Sequence, residues 1–274
     1  MKRVPLAAAV SAAIAFGTLA GCSKPGTPDQ ATVSRTPFDA QAADDKSYAP
    51  LAKLPDWSGV WEPMRFARPG KAEAPPAPPK LTAKYAGQYS AYQEKNKSTP
   101  GINFVSQVAN CVPPGLPGSM QQPYPIEFLF TPGRVTVLIE TYSLIRRIYT
   151  DGAAAPTDPP DPSYQGTSTG KWDGDTLVVE TTSILPETSP LNGINGHSDK
   201  LKITERIRLA EPDVLEIVTT REDPDVFVEP YTTTAHYQRH RDWKIMEYVC
   251  SQNNHDFVDD KGNPGFSLDR KPGE

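Results

Sequence analysis

Few side chains in this sequence combine a reactive type with a telling position. Among the four histidines, His197 stands in Gly193-Ile-Asn-Gly-His-Ser-Asp199, a loop feeding a strand, with Ser198 and Asp199 beside it. Imidazole titrates near neutrality, so a histidine in such a loop is placed for general acid or base work. The bland reading is a loop histidine that bonds its neighbours. His236 and His240 are four apart on strand-like sequence, roughly 13 Å in an extended chain, too far to share a metal. Glu205 is more informative. In Leu201–Leu209 the residues Leu201, Ile203, Glu205, Ile207 and Leu209 alternate with Lys202, Thr204, Arg206 and Arg208, so one face is apolar with a carboxylate inside it. A lone buried carboxylate is costly, and a partner is required. Arg146 and Arg147 are adjacent and point to opposite faces of their strand. Unbroken alternation from Val135, Val137 and Ile139 carries Ile145, Arg147 and Tyr149 inward, which pairs Arg147 with Glu205. A bulge near residues 141–143 would exchange Arg147 for Arg146. The pair reads either as the polar anchor of a ligand cavity or as a buried ion pair that fixes strand register.

Other patterns carry less. Asp173, Gly174 and Asp175 lack the spacing and the downstream Glu of a calcium loop and read as a hairpin turn. Gly115-Leu-Pro-Gly118 lacks the Gly-Lys-Ser/Thr of a phosphate loop. Gly166-Thr-Ser-Thr-Gly170 has the letters of a nucleophile elbow without a strand–turn–helix around it. No cofactor and no metal site is read from the chain.

The elements that position these residues are mainly strands. The chain has 274 residues, with 30 Pro and 19 Gly supplying frequent turns. Trp57-Ser-Gly-Val-Trp61 opens a short strand. Pro125–Phe130 leads into Thr131-Pro-Gly-Arg134, a type II turn pattern. Val135–Tyr149 is rich in Val, Ile, Tyr and Thr. Gly170–Thr181 reads as a hairpin turning at Asp173-Gly174. Val214–Thr220 is a strand, and Thr232–Arg239 pairs with Lys244–Cys250. A helix over Ala83–Asn96, capped by Thr82, puts Tyr85, Tyr89 and Tyr92 on one face. Seven or more strands with short turns predict an antiparallel meander closed into a β-barrel, or a sandwich, with one short helix.

The flanks differ in composition. Lys2 and Arg3 precede an apolar run that ends Leu19-Ala20-Gly21-Cys22, so residues 1–21 read as a signal peptide. That ending resembles the bacterial lipobox. The resemblance implies a diacylglyceryl group on Cys22, cleavage before it, and, with Ser23 rather than Asp, an outer-membrane destination facing the periplasm. Several acyl chains anchor durably. Residues 22–55 read as a flexible tether, 56–254 as the barrel domain with a Pro-rich insert, and 255–274 as a polar tail. A net charge of −5 leaves no basic excess for nucleic acid. Cys111 and Cys250 remain as an even pair in an exported chain and are expected to form a disulfide; two buried free thiols are the alternative.

Several segments together resemble one family of exported bacterial proteins of uncharacterised function. They are Asp56–Trp61, Cys111–Gly115, Pro123–Phe128, Thr131–Val135, Arg146-Arg-Ile-Tyr-Thr-Asp-Gly152, Gly166–Thr181 with Trp-Asp-Gly-Asp-Thr-Leu-Val-Val-Glu-Thr, His197-Ser198, Glu205-Arg206 and Glu247–Cys250. Thr167 stands where the family often has His, so no mechanism resting on a histidine there is carried over. Gly59-x-Trp61 is more loosely similar to the start of lipocalin-like barrels. The expected function is a lipid-anchored module that binds a small amphipathic molecule in a barrel cavity, with Arg147 or Arg146, Glu205, Tyr149, Trp61 and Trp172 as contacts. One alternative is a lyase, isomerase or hydrolase in the same cavity, with His197 as acid or base and Arg147 and Glu205 assisting. The other is a structural or assembly lipoprotein.

Overall fold

The computed structural model describes residues 48–64, 76–98, 111–152, 160–250, 256–258 and 264–266. All of them fall within one compact unit, 40–274. The signal segment, Cys22 and most of the tether lie outside the described residues.

Nine strands close into a barrel in chain order, with β1 meeting β9. They are β1 (Val60–Pro63), β2 (Ile126–Thr131), β3 (Arg134–Ile139), β4 (Leu144–Tyr149), β5 (Thr167–Asp173), β6 (Thr176–Thr182), β7 (Lys202–Glu211), β8 (Val214–Glu222) and β9 (Tyr231–His240). Closure removes the edges that an open sheet would expose. Neighbouring strands run antiparallel except β4 and β5, which run parallel and pair only as Ile148↔Ser168 and Tyr149↔Thr169. A parallel neighbour needs a long return, and residues 150–166 supply it. The remaining short turns follow the sequence. Pro132-Gly133 joins β2 to β3 with Gly133 at φ +73°, which a type II turn demands. The β5–β6 turn is one residue later than the sequence predicts: Asp173 pairs with Thr176, so Gly174 (φ +58°) and Asp175 are the central pair. Positive φ at the first central residue is the type II′ pattern.

Two expectations about β9 and the helix are corrected. Thr232–Arg239 does not pair with Lys244–Cys250. Strand β9 closes the barrel on β1, with Val60↔His240 and Pro63↔Tyr237, and residues 241–249 form no strand. Helix α1 (Ala83–Ser98) forms where expected, but Thr82 does not cap it through its side chain. The Thr82 hydroxyl donates to the Asp225 carbonyl at 2.8 Å, and its own carbonyl accepts the Ala86 N–H at 2.9 Å. A short hairpin of β10 (Asp256–Val258) and β11 (Pro264–Phe266) lies in the segment read as a polar tail.

The barrel is filled by its own side chains. One buried cluster includes Trp57, Trp61, Leu116, Met120, Val137, Ile148, Leu177, Ile203, Ile207, Leu215 and Tyr237. Leu116 and Met120 belong to no strand; they come from residues 111–121, and the Tyr237 hydroxyl donates to the Met120 carbonyl. This segment packs into the barrel and is tied by Cys111–Cys250, the expected disulfide. A second cluster, Tyr85, Ile194, Val226, Phe227 and Tyr231, packs with Leu81, Tyr89 and Leu191. It joins α1 to the loops before β7 and after β8 and covers the barrel end where β8 finishes and β9 begins. Gly193 (φ +89°) lets that loop approach the helix, since an added Cβ would lie 2.5 Å from the Tyr92 ring.

Candidate functional site

The carboxylate predicted inside the barrel is there. Glu205 is fully buried and forms an ion pair with Arg146, which is also fully buried. Arg146 Nη2 also donates to Thr181 Oγ1 at 3.1 Å, and its Nε lies 3.3 Å from Ser168 Oγ. The Ser168 and Thr181 hydroxyls are 2.7 Å apart. Arg146 Nη1 and Glu205 Oε1 have no hydrogen-bond partner among the described residues. The pair therefore gains charge-assisted bonds but keeps part of its desolvation cost.

Arg147 is the correction. It is exposed, and so is Ile145; Tyr149, half-buried, shares their outward side. The cause is the one-turn 3₁₀ segment Thr141–Ser143, where Tyr142 and Ser143 take φ of +57° and +49°. It breaks the alternation, so Leu144, Arg146 and Ile148, not their neighbours, follow Ile139, Val137 and Val135 across the β3–β4 register.

A second guanidinium lies in the same interior. Arg221, the inward residue after Leu215, Ile217 and Thr219 on β8, is fully buried. It stands opposite Ile203 on β7 and Tyr231 on β9. Its Nε donates to the Pro190 carbonyl at 2.9 Å and its Nη1 to Thr233 Oγ1 at 2.9 Å. The guanidinium also lies 5.5 Å from the centre of the Tyr231 ring. Burial pushes its pKa down to about 10, against the favourable fields of Tyr231 and Glu205.

His197 is 8 % exposed, and both ring nitrogens are engaged. Nδ1 is 2.7 Å from the Ser198 carbonyl, which can only accept, so Nδ1 carries a proton. Nε2 is 3.1 Å from Thr188 Oγ1, which itself reaches the Leu185 carbonyl at 2.8 Å. Ser198 donates both its N–H and its hydroxyl to Asp223, each at 2.8 Å. These bonds stitch residues 185–198 to the end of β8. Among the described residues they share no bond with the Arg146–Glu205 network.

An open concavity lies elsewhere, beside the second half of β2 and the residues leading into β1. A pocket of about 440 Å³ is lined by Leu51, Leu54, Pro55, Asp56, Trp57 and Phe130, with Phe128, Ala52 and Ser58. Behind it, Trp57 packs on Phe128, Phe130 and Trp172 with ring centres 5.1, 5.5 and 5.3 Å away. Asp56 is the one ionisable lining residue. Hydrogen bonds from the Ser58 hydroxyl and backbone, then Arg241 and Arg239, hold its carboxyl well below the usual carboxylate range. Arg239, buried beneath the Trp61 ring at 4.6 Å, bonds Asp56 Oδ2 at 3.1 Å and pairs with Asp213 at 3.3 Å. Trp61 is fully buried, and its indole N–H donates to the Trp57 carbonyl at 3.0 Å. Of the residues expected to bind ligand, Trp172 thus backs the pocket and Trp61 lies beneath it, whereas Arg146 and Tyr149 do not line it. Sequence reasoning missed Leu51, Leu54 and Pro55 because a Pro- and Ala-rich stretch has no period. It missed Arg221 although the β8 alternation, extended by one step, points to it.

Family models, curated proteins and solved structures yield no match to this chain.

Proposed function

We propose that this chain is a lipid-tethered binding module of the bacterial envelope that holds a small amphipathic molecule at the open end of its barrel. One observation carries the reading: an open pocket of about 440 Å³, walled by aliphatic and aromatic side chains and bearing a single carboxylate. Mostly apolar concavities with a few fixed polar groups are the usual form of small-molecule sites. With the interior occupied by buried side chains, this rim pocket takes over, in the reading proposed, the role the sequence gave to the barrel's centre. The tether is supported by Leu19-Ala20-Gly21-Cys22 and by the joining of the other two cysteines in a disulfide, as an oxidising compartment favours.

The test uses N-phenyl-1-naphthylamine, an apolar fluorophore, and the mature protein. Saturable binding is expected, with energy transfer from Trp57, and loss of binding in Leu54→Asp and Phe130→Asp at an unchanged unfolding midpoint. No saturable binding, or binding that both variants retain, overturns the reading. Intact-mass analysis of membrane-extracted protein tests the anchor: acyl mass on Cys22 is expected, and its absence refutes the tether.

A second reading, a structural or assembly lipoprotein, is favoured by the packed barrel itself. It predicts that the protein co-purifies with a partner and that the fluorophore does not bind.

A further inference from the structure

Among the described residues the buried charged side chains are Arg146, Arg221 and Arg239 against Glu205 and Asp223; Arg239 pairs with Asp56 and Asp213, and Asp223 is taken up by Ser198 and the Asp225 N–H. Arg146 and Arg221 are both fully buried, and Glu205 is already paired with Arg146. Arg221 contacts no carboxylate among the described residues. Its partners are the Pro190 and Thr219 carbonyls, the Thr233 hydroxyl and the Tyr231 ring, all neutral. A guanidinium has five N–H donors in a planar fork. Nε and Nη1 are used, and Nη2 donates to no described residue. Buried charges in proteins are normally paired, because removing an ion from water costs several kcal/mol. Neutral oxygens return part of that cost, and none of them cancels the charge.

The surroundings favour an anion. Thr219 shares β8 with Arg221, and Thr233 on the neighbouring β9 accepts from Arg221; Thr181 on β6 and Ser168 on β5 are taken up by Arg146 and by each other. Above Arg221 the cover is apolar: Tyr231, Phe227, Val226, Ile194 and Tyr85. Apart from Tyr231 at the start of β9, that cover is built from α1 and two loops. Its outer polar fastenings are exposed ion pairs, Lys80–Glu229 at 3.0 Å and Lys200–Asp225 at 3.2 Å, which are individually weak. A close-packed interior admits only a few heavy atoms.

We infer that the Nη2 side of Arg221 seats a small monoanion, a halide or a short carboxylate, beneath the cover formed by α1 and the loops around Ile194 and Phe227. The site is separate from the pocket beside Trp57 and does not depend on it. The anion balances the second interior guanidinium. It also strengthens the cover, because Arg221 holds the Pro190 carbonyl of the covering loop.

A ligand of the folded state raises stability in proportion to the logarithm of its concentration. Unfolding midpoints of the mature protein are therefore compared in sodium chloride, sodium formate and sodium gluconate at constant ionic strength, gluconate being too large to enter. Chloride, formate or both are expected to raise the midpoint above that in gluconate, and which of them does so identifies the anion. Arg221→Gln is expected to abolish the difference. A second measurement independent of the variant's folding uses crystals of the unaltered protein grown in bromide, with an anomalous peak expected within hydrogen-bond distance of Arg221. Equal midpoints in all three salts, or bromide found at exposed lysines alone and thus an adventitious ion only, overturn the inference.

Discussion

At the scale of single residues, Arg146 and Arg147 separate burial from composition. They are adjacent and identical in chemistry, yet one is sealed inside the barrel on Glu205 and the other faces solvent. Removing one partner of a buried ion pair strands the other charge, a loss of about 3–5 kcal/mol. Glu205→Gln and Arg146→Met are both expected to show it in urea unfolding, whereas Arg147→Met should change stability by no more than about 0.5 kcal/mol. Equal effects of the two arginine changes would contradict the register of β4. The paired replacement Arg146→Met with Glu205→Leu should recover part of the loss, since an apolar pair of similar volume carries no desolvation cost. Asp56 is expected to contribute to the acid limb of the stability curve. Its folded pKa lies below the unfolded value of 3.8, so its contribution is fully present above that value and fades as pH falls through the folded one. Asp56→Asn should therefore lower stability at neutral pH and flatten the decline below about pH 4, the unfolded carboxylate range. An acid limb unchanged in the variant would show that Ser58, Arg239 and Arg241 do not hold this carboxylate in solution.

At the scale of elements, legibility followed periodicity. The alternation in Leu201–Leu209 placed Glu205 inward, and the Pro-Gly and Asp-Gly dipeptides marked two hairpins within a residue. Tyr85, Tyr89 and Tyr92 marked the helix, and Tyr85 and Tyr89 join the apolar cover. What the sequence left open was a change of phase near residues 141–143. Thr141–Ser143 looks like continuing strand, because Thr and Tyr suit strands and no Gly or Pro marks the turn, although Tyr142 and Ser143 take positive φ there. That one turn reversed the facing of the β4 residues after it. The pairing of β9 with β1 was equally hidden. Local hairpin signals favoured residues 244–250, but closing the barrel satisfies two edges at once. The cover offers its own test. At Gly193 a Cβ meets the Tyr92 ring at 2.5 Å while φ is +89°, so Gly193→Ala is strained twice over. Amide exchange in α1 should accelerate in that variant while β6–β8 stay protected. Uniform acceleration throughout the barrel would mean that helix and barrel unfold as one unit.

At the scale of the whole molecule, the disulfide joins two segments that belong to no barrel strand. Cys111 begins the segment whose Leu116 and Met120 pack inside the barrel, and Cys250 ends the run that follows β9. That run lies along the β3–β4 connection. The Ser143 hydroxyl donates to the Tyr248 carbonyl at 3.0 Å, Met246 N–H donates to Glu140 at 3.0 Å, and Tyr248 packs on Tyr124 and Tyr142. Neither segment is a strand of the barrel, so no ladder of backbone bonds along a neighbouring strand offsets the chain entropy of ordering it. Linked, neither leaves without the other. The bridge spans 139 residues of sequence, nearly the whole barrel, so it also constrains the unfolded chain strongly. Loop-closure entropy for that span sets an upper figure of about 5 kcal/mol. The double variant Cys111→Ala, Cys250→Ala should lose about 2–5 kcal/mol in denaturant unfolding. It should also exchange amides at residues 116–121 and 246–248 ahead of the barrel strands. A loss confined to global stability, with those amides still exchanging only on full unfolding, would mean that Tyr237 and the tyrosine cluster hold the two segments unaided. The bridge would then act on the unfolded state alone.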